Sequence, residues 1–197
     1  MKKIIILISI FCVSLSCKSQ IIPIEGIQEY LSANNIQRVP SGAYMKDVNG
    51  LFDGYIGEWQ ATYNNRIYTF YITEEVISYD NRQKDKLFIK YIITELDGTI
   101  VVDTREEEGN SVFGDKFTDD LEYYIFGFGV GSSECGNEGN MYITQVTSSP
   151  LNSVQIKIGI SYGAGAVAYT EELCGDFVLE NEPLYPLSIT SLILTRQ

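Results

Sequence analysis

The sequence predicts an all-β protein: an antiparallel up-and-down meander of about eight strands, closed into a barrel and preceded by a short N-terminal helical segment. Three observations predict it. In GEWQATY, residues 57–63, Trp59, Ala61 and Tyr63 fall on one face and Glu58, Gln60 and Thr62 on the other, the period-two pattern of a half-buried strand. Segments rich in Ile, Val, Tyr and Phe then follow one another: RIYTFYITE, KLFIKYIITEL, TIVVDTR, LEYYIFGFGV, NMYITQVTS, SVQIKIGISY and ITSLILTR. The connections carry turn residues, Asn64-Asn65 and Asp97-Gly98 among them, and asparagine tolerates the left-handed backbone of tight hairpins. Closing such a set into a barrel removes the exposed edges that an open sheet would leave.

The chain begins with MKKIIILISIFCVSLS, two lysines before an apolar run from Ile4 to Val13 and then small residues. An apolar run of roughly ten residues is too short to cross a bilayer as a helix, so residues 1–16 are expected to be a secretory signal peptide. Ser14-Leu15-Ser16 before Cys17 resembles the lipobox of bacterial lipoproteins, with Ser14 in place of the commoner aliphatic residue. Cys17 is therefore the expected acylated residue, and plain secretion with a free thiol is the alternative. Lys18 in place of an aspartate removes the obvious inner-membrane retention signal, which points to the outer membrane on an unspecified side. Residues 17–40 are expected to form the lipidated cysteine and a tether. Within it PIEGIQEYLSAN sets Ile24, Ile27 and Leu31 at helical spacing. Asp47-Val-Asn-Gly-Leu-Phe-Asp-Gly reads as a turn leading into the first strand, and residues 41–197 as the barrel domain.

Loss of Lys2 and Lys3 with the signal takes the formal charge from −12 to −14. So acidic a chain repels phosphate backbones and anionic head groups, which counts against nucleic acid and leaves acyl chains as the means of membrane attachment. Cys135 and Cys174 remain after Cys12 leaves and Cys17 is lipidated. An even pair in an oxidising compartment is read first as a disulfide, stabilising by about 4 kcal/mol in the chain-entropy model. Free thiols or a redox couple are the alternative, without a Cys-x-x-Cys spacing to support them.

The chain has no histidine, which excludes Ser-His-Asp and Cys-His nucleophilic sites and His-ligated zinc. The acidic clusters Glu106-Glu107-Glu108, Asp119-Asp120-x-Glu122 and Glu171-Glu172 read as solvated faces rather than a paired-carboxylate active site. Asp47, Asn49, Asp53 and Glu58 share four spacings with a calcium loop, but the glycine is misplaced and Leu51 occupies a ligand position. The glycines around Cys135 lack both G-x-G-x-x-G and a Gly-Lys-Ser/Thr ending, so bends at a sheet rim account for them better than a phosphate loop. No catalytic residue, metal or cofactor is expected.

The set Tyr44-x-Lys46-Asp47-Val48, Tyr55-x-Gly57-x-Trp59, Thr62-Tyr63-Asn64, Tyr68-x-Phe70-x-Ile72, Tyr91-x-Ile93-Thr94 and Asp97-Gly98-Thr99, continued by Cys135-Gly136, Cys174 and Leu192-x-Leu194-Thr195, resembles an uncharacterised family of Bacteroidota lipoproteins. That resemblance implies a cell-envelope address and no activity. Gly57-x-Trp59 on the first long strand, with Arg196 after the last, is similar to the calycins, the lipocalin-like barrels in which a basic residue packs across that tryptophan. A Thr-Asp-Tyr loop is missing, so lipocalin ligand chemistry is not carried over. The likeness makes Gly57, Trp59 and Arg196 the expected barrel closure, with a cation-π contact of about 1 kcal/mol.

Fourteen tyrosines and nine phenylalanines are the remaining signal. Tyr63, Tyr68, Phe70, Tyr91, Tyr124 and Phe126 recur in the expected strands, either lining a cavity for a small apolar ligand or filling the barrel. The leading expectation is a non-enzymatic, lipid-anchored calycin-like carrier. An envelope interaction or inhibitor module without a cavity, binding a protein partner of unknown identity, is the alternative.

Overall fold

The computed structural model of the chain describes residues 20–106, 112–129, 138–146, 154–162 and 191–197. Its strands are β1 (Ile21–Pro23), β2 (Tyr44–Lys46), β3 (Gly57–Tyr63), β4 (Arg66–Tyr79), β5 (Arg82–Glu95), β6 (Ile100–Asp103), β7 (Val112–Phe117), β8 (Tyr124–Gly129), β9 (Glu138–Gln145), β10 (Gln155–Tyr162) and β11 (Leu192–Arg196). A 3-10 turn, Ile24–Gly26, runs into the one short helix described, α1 (Ile27–Ala33).

Eight of these strands close. The path β5-β4-β3-β11-β10-β9-β8-β7 returns to β5, where Phe88 faces Phe113, and every pairing along it is antiparallel. The expected all-β up-and-down barrel is present, but its membership differs from the sequence reading. TIVVDTR supplies β6, which among the described residues pairs only with β5 and stays off the closed path. Its place is taken by β7, VFGDKF, which the sequence did not reveal. The inward positions of β7 are Val112 and Gly114, both buried, so its inner face is half glycine and the alternation is lost to view. β6 has the stronger β-composition, yet Ile100 and Val101 remain exposed.

The β4-β5 hairpin is longer than expected, at 14 residues per strand. Its turn is Asp80-Asn81, at φ 47° and 59°, and the Asn64-Asn65 turn between β3 and β4 has φ 48° and 61°. Both pairs are left-handed, as a two-residue hairpin with the sheet's own twist requires. The sequence reading stopped at Glu74 because residues 73–76 are all exposed, which hides any alternation. Pairing holds this extension: β2 runs parallel to β5 with Tyr44 opposite Gln83 and Met45 opposite Lys84, and β1 runs parallel to β2.

From Gln20 onward the stretch expected as a tether is folded. Ile22, Val39, Ala43 and Met45 form a small buried cluster, with Ile24, Ile27, Tyr30 and Leu31 packed against it. The helical spacing noted in the sequence is the face that docks. The barrel interior is the main core. Trp59, Tyr68, Phe70, Ile72, Leu87, Ile89, Tyr91 and Ile93 enter it from β3 to β5, and Tyr124, Phe126, Met141, Ile143, Ile156, Ile158, Leu192 and Leu194 from β8 to β11. An eight-stranded barrel is just wide enough for side chains to fill.

Candidate functional site

At the end of the barrel where β3 starts and β11 finishes, a chain of hydrogen bonds fixes the lead-in turn. Asp47 begins the lead-in turn, its carboxylate accepting the Leu51 and Phe52 amide protons at 3.0 and 2.8 Å. Its own amide donates to Asp85 Oδ2 at 2.8 Å, while Tyr44 Oη donates to Asp85 Oδ1 at 2.6 Å. Asp85 is 2% exposed. Both its oxygens are therefore committed, which suits a fixed anchor rather than a proton-transfer group. The same hydrogen bond, followed by burial, pushes the Tyr44 phenol up to about 12. This chain of bonds sets the turn that delivers Phe52 and Tyr55 onto the barrel end. There Phe117 and Tyr124 meet ring to ring at 4.8 Å, and Phe52 lies 5.2 Å from Tyr124.

Trp59 is fully buried, and its Nε1–H donates to the Tyr55 carbonyl at 2.6 Å. In register opposite it stands Arg196, whose guanidinium lies 5.0 Å from the ring centroid. The same guanidinium donates to the carbonyls of Asp53, at 3.2 Å, and Ile56. Gly57 takes φ 136°, a conformation L side chains rarely adopt, and an added Cβ would sit 3.4 Å from Arg196 Nε. Gly57, Trp59 and Arg196 thus form one contact joining the first and last strands of the barrel to the 53–56 backbone.

The six aromatic residues considered as a pocket lining separate. Tyr68, Phe70, Tyr91, Tyr124 and Phe126 are each 3% exposed or less and belong to the packed core, with Phe70 against Tyr91 at 5.9 Å and Tyr124 against Phe126 at 5.0 Å. Tyr63 lies at the opposite rim and is 37% exposed. Cys17, Cys135 and Cys174 lie outside the described residues.

Two open spaces adjoin the Trp59 end, on either side of a wall made by Phe117 and Leu121. The first is a cleft of about 430 Å³ bounded by Leu51, Tyr55, Glu122 and Gln145 together with that wall. The second, of about 350 Å³, lies between the Ile24–Glu29 segment and the β7–β8 turn, with Lys84 and Lys116 among its lining residues. Lys84 Nζ donates to the Asp115 carbonyl at 2.5 Å. Burial, helped by the charges of Lys86 and Lys116, brings its ammonium down to about 8, against the smaller opposing effect of Asp115. Among the described residues no group of three or more His, Cys, Asp or Glu side chains is placed to hold a metal.

A family profile matches residues 1–140 of this chain. The chain belongs to DUF6705, a family of unknown function. Among curated proteins and among solved structures, no significant match to it is found. The matched part of this DUF6705 chain takes in β1 to β8 and the start of β9, so β10 and β11, which complete the barrel, follow it.

Sequence reasoning missed Asp85, Lys84 and Phe117 in the DUF6705 chain. Asp85 continues the inward parity of Leu87, Ile89, Tyr91 and Ile93, a signal that appears only once the strand is extended to Arg82. Asp85→Asn should destabilise the DUF6705 fold by about 2 kcal/mol, because both bonds to the buried carboxylate lose their charge assistance and Tyr44 Oη must turn from donating to accepting if Oδ1 is to keep the Asp47 N–H. Urea unfolding followed by circular dichroism at neutral pH measures it.

Lys84 gives a second expectation for the DUF6705 chain. An unfolded lysine keeps its proton to about pH 10.4. The native one, lowered to about 8, holds fewer protons in between, so stability rises with pH from 8 towards 10 as the penalty of a partly buried charge is relieved. Lys84→Met should flatten that rise in unfolding midpoints taken at pH 7, 8, 9 and 10.

Proposed function

We propose that this DUF6705 protein is a lipid-anchored, non-enzymatic binding module of the bacterial cell envelope, tethered to the outer membrane through Cys17 after removal of residues 1–16. It takes a small, largely apolar molecule at the Trp59 end of a calycin-like barrel. The observation that carries this reading is the cleft of about 430 Å³, with Leu51, Tyr55, Phe117 and Leu121 as apolar walls and Glu122 and Gln145 as polar groups. Apolar walls met by a few polar groups are the usual make-up of a small-molecule site, and here Glu122, Thr144 and Gln145 make the polar lining as extensive as the apolar one. We assign the ligand to this end rather than to the middle of the barrel because the described inward side chains fill the middle with one another. The closed meander with Gly57-x-Trp59 under Arg196 supports the calycin likeness.

Native mass spectrometry of the mature chain without its acyl group, after incubation with a lipid and metabolite extract of the producing cell, tests the reading. A reproducible bound mass that Leu51→Asp abolishes is expected. An empty protein overturns the carrier and leaves the envelope interaction module. Labelling of producing cells with an alkyne fatty acid tests the anchor, with the label expected on the wild type and absent from Cys17→Ser.

A further inference from the structure

The second cleft is built differently from the first. Its walls include Ile24 and Ile27 from the segment folded over the barrel, and Phe117 and Leu121 from the β7–β8 end, so it has an apolar side. Lys84 comes up from β5 into this space and is only partly exposed. Carboxylates share the lining: Glu25 and Glu29 from the covering segment, Asp115 and Asp119 from the β7 side. Glu25 is the most unusual of them. Its Oε1 accepts from Asn49 Nδ2, while Oε2 is buried with no hydrogen-bond partner among the described residues. A buried carboxylate oxygen without a donor is costly, and such a group calls for an explanation.

An amine held in a partly apolar, partly carboxylate-lined space has the parts that imine chemistry needs. The nucleophile must be neutral when it attacks, so partial desolvation favours it. The carbinolamine that forms must lose its hydroxyl as water, which needs a carboxyl group to deliver a proton and a carboxylate to take one back. The carbonyl compound needs an apolar surface to hold its carbon skeleton.

We propose that the cleft between α1 and the β7–β8 turn is a covalent capture site for small apolar aldehydes, held as an imine on Lys84. The neutral Lys84 amine adds to the aldehyde carbon, a C–N bond forms and the C–O bond breaks, and the oxygen leaves as water carrying, in net, the two protons that the amine nitrogen gives up. The product is Lys84 Nζ=CH–R plus one water, with no change of oxidation state and no other reactant. Hydrolysis reverses it. The aldehyde's skeleton rests on Phe117, Leu121 and Ile27, and Glu25, which lines the same cleft and whose Oε2 has no hydrogen-bond partner among the described residues, is assigned the proton transfer. Lowering of the Lys84 ammonium to about 8 supports the assignment, because a usable fraction of the amine is then neutral near physiological pH. The proposal goes beyond the binding role assigned to the first cleft and does not depend on it.

The test is reductive trapping on the folded mature chain at pH 7.5, with phenylacetaldehyde as probe and cyanoborohydride to fix the imine, followed by peptide mapping. Lys84 should carry at least tenfold more adduct than Lys46, Lys86, Lys90 or Lys157, and its labelling rate should saturate with phenylacetaldehyde concentration. Glycolaldehyde, which has no apolar body, should label Lys84 without saturation. Glu25→Gln should slow trapping by phenylacetaldehyde several-fold while leaving the far-ultraviolet circular dichroism unchanged, a readout that does not require replacing Lys84. Even labelling across the lysines overturns the proposal. So does a preference for Lys84 that is linear in concentration and equal for both aldehydes, since that would mark a reactive amine without a site. A bound mass that needs Leu51 but not Lys84 would sustain the first cleft alone, so the two readings can fail separately.

Discussion

Trp59→Ala should destabilise the barrel by about 4 kcal/mol, the range found when a large buried aromatic side chain is truncated. The indole is 0% exposed, donates to the Tyr55 carbonyl and lies under the Arg196 guanidinium, so its removal leaves a cavity, an unpaired carbonyl and an arginine without its platform. Set against the 5–15 kcal/mol that typical domains possess, about 4 kcal/mol is enough to shift the urea midpoint far to the left. Trp59 is the only tryptophan in the chain, so its fluorescence follows unfolding in the parent and circular dichroism must follow it in the variant. Arg196→Met should cost less, about 1–2 kcal/mol, because the carbonyls of Asp53 and Ile56 that it releases can turn to water. The double variant isolates the contact between the two side chains. A coupling near 1 kcal/mol is expected for a cation over an indole at this distance. Additive losses would mean that Arg196 acts only through the 53–56 backbone.

Gly114→Ala is expected to cost about 3 kcal/mol, a large effect for one methyl group. An added Cβ would stand 2.6 Å from the Leu87 carbonyl oxygen and 2.7 Å from Tyr124 Cε1, and closer still to Tyr124 Oη. Real side chains do not tolerate such distances. The carbonyl belongs to the backbone of β5 and cannot withdraw without moving the seam where β5 meets β7, the pairing that completes the barrel. Tyr124→Phe removes one of the colliding atoms at the loss of only a long hydrogen bond, 3.5 Å, from the Leu87 amide. The pair Gly114→Ala and Tyr124→Phe should therefore be less destabilising than the sum of the single changes, yet short of full recovery, because Leu87 O remains. Thermal unfolding of the four proteins decides it. A glycine-to-alanine change without effect would show that the β5–β7 seam has room to move.

Most of the barrel could be read from residues that lie next to one another. Trp59, Ala61 and Tyr63 alternate with Glu58, Gln60 and Thr62, and the strand they predict is β3. Asn64-Asn65 predicts a left-handed two-residue turn, which both residues adopt. Gly57, Trp59 and Arg196 were singled out on likeness alone, and they stand in contact. The failures share one cause. β7 was invisible because Gly114 occupies an inward position, and only the opposing Tyr124 and Leu87 reveal why no side chain belongs there. Tyr68, Phe70, Tyr91, Tyr124 and Phe126 lie on inward faces and Tyr63 at the rim, and whether inward means cavity or core depends on what comes from the other strands.

By itself, then, the sequence determined the class of the fold, the period of its strands, the position of the Asn64-Asn65 turn, the net negative charge and the lack of histidine. These depend on alternation, backbone preference and composition, which act over a few residues or over the whole count. Tertiary structure decided which strands close the ring, that β6 lies outside it, that the segment from Gln20 is folded onto the barrel, and that Asp85 and Lys84 are covered. Those outcomes rest on partners far apart in the chain, such as Tyr44 with Asp85 at a separation of 41 residues and Asp53 with Arg196 at 143. Burial of a polar group is a property of everything packed around it, and no local pattern carries that information.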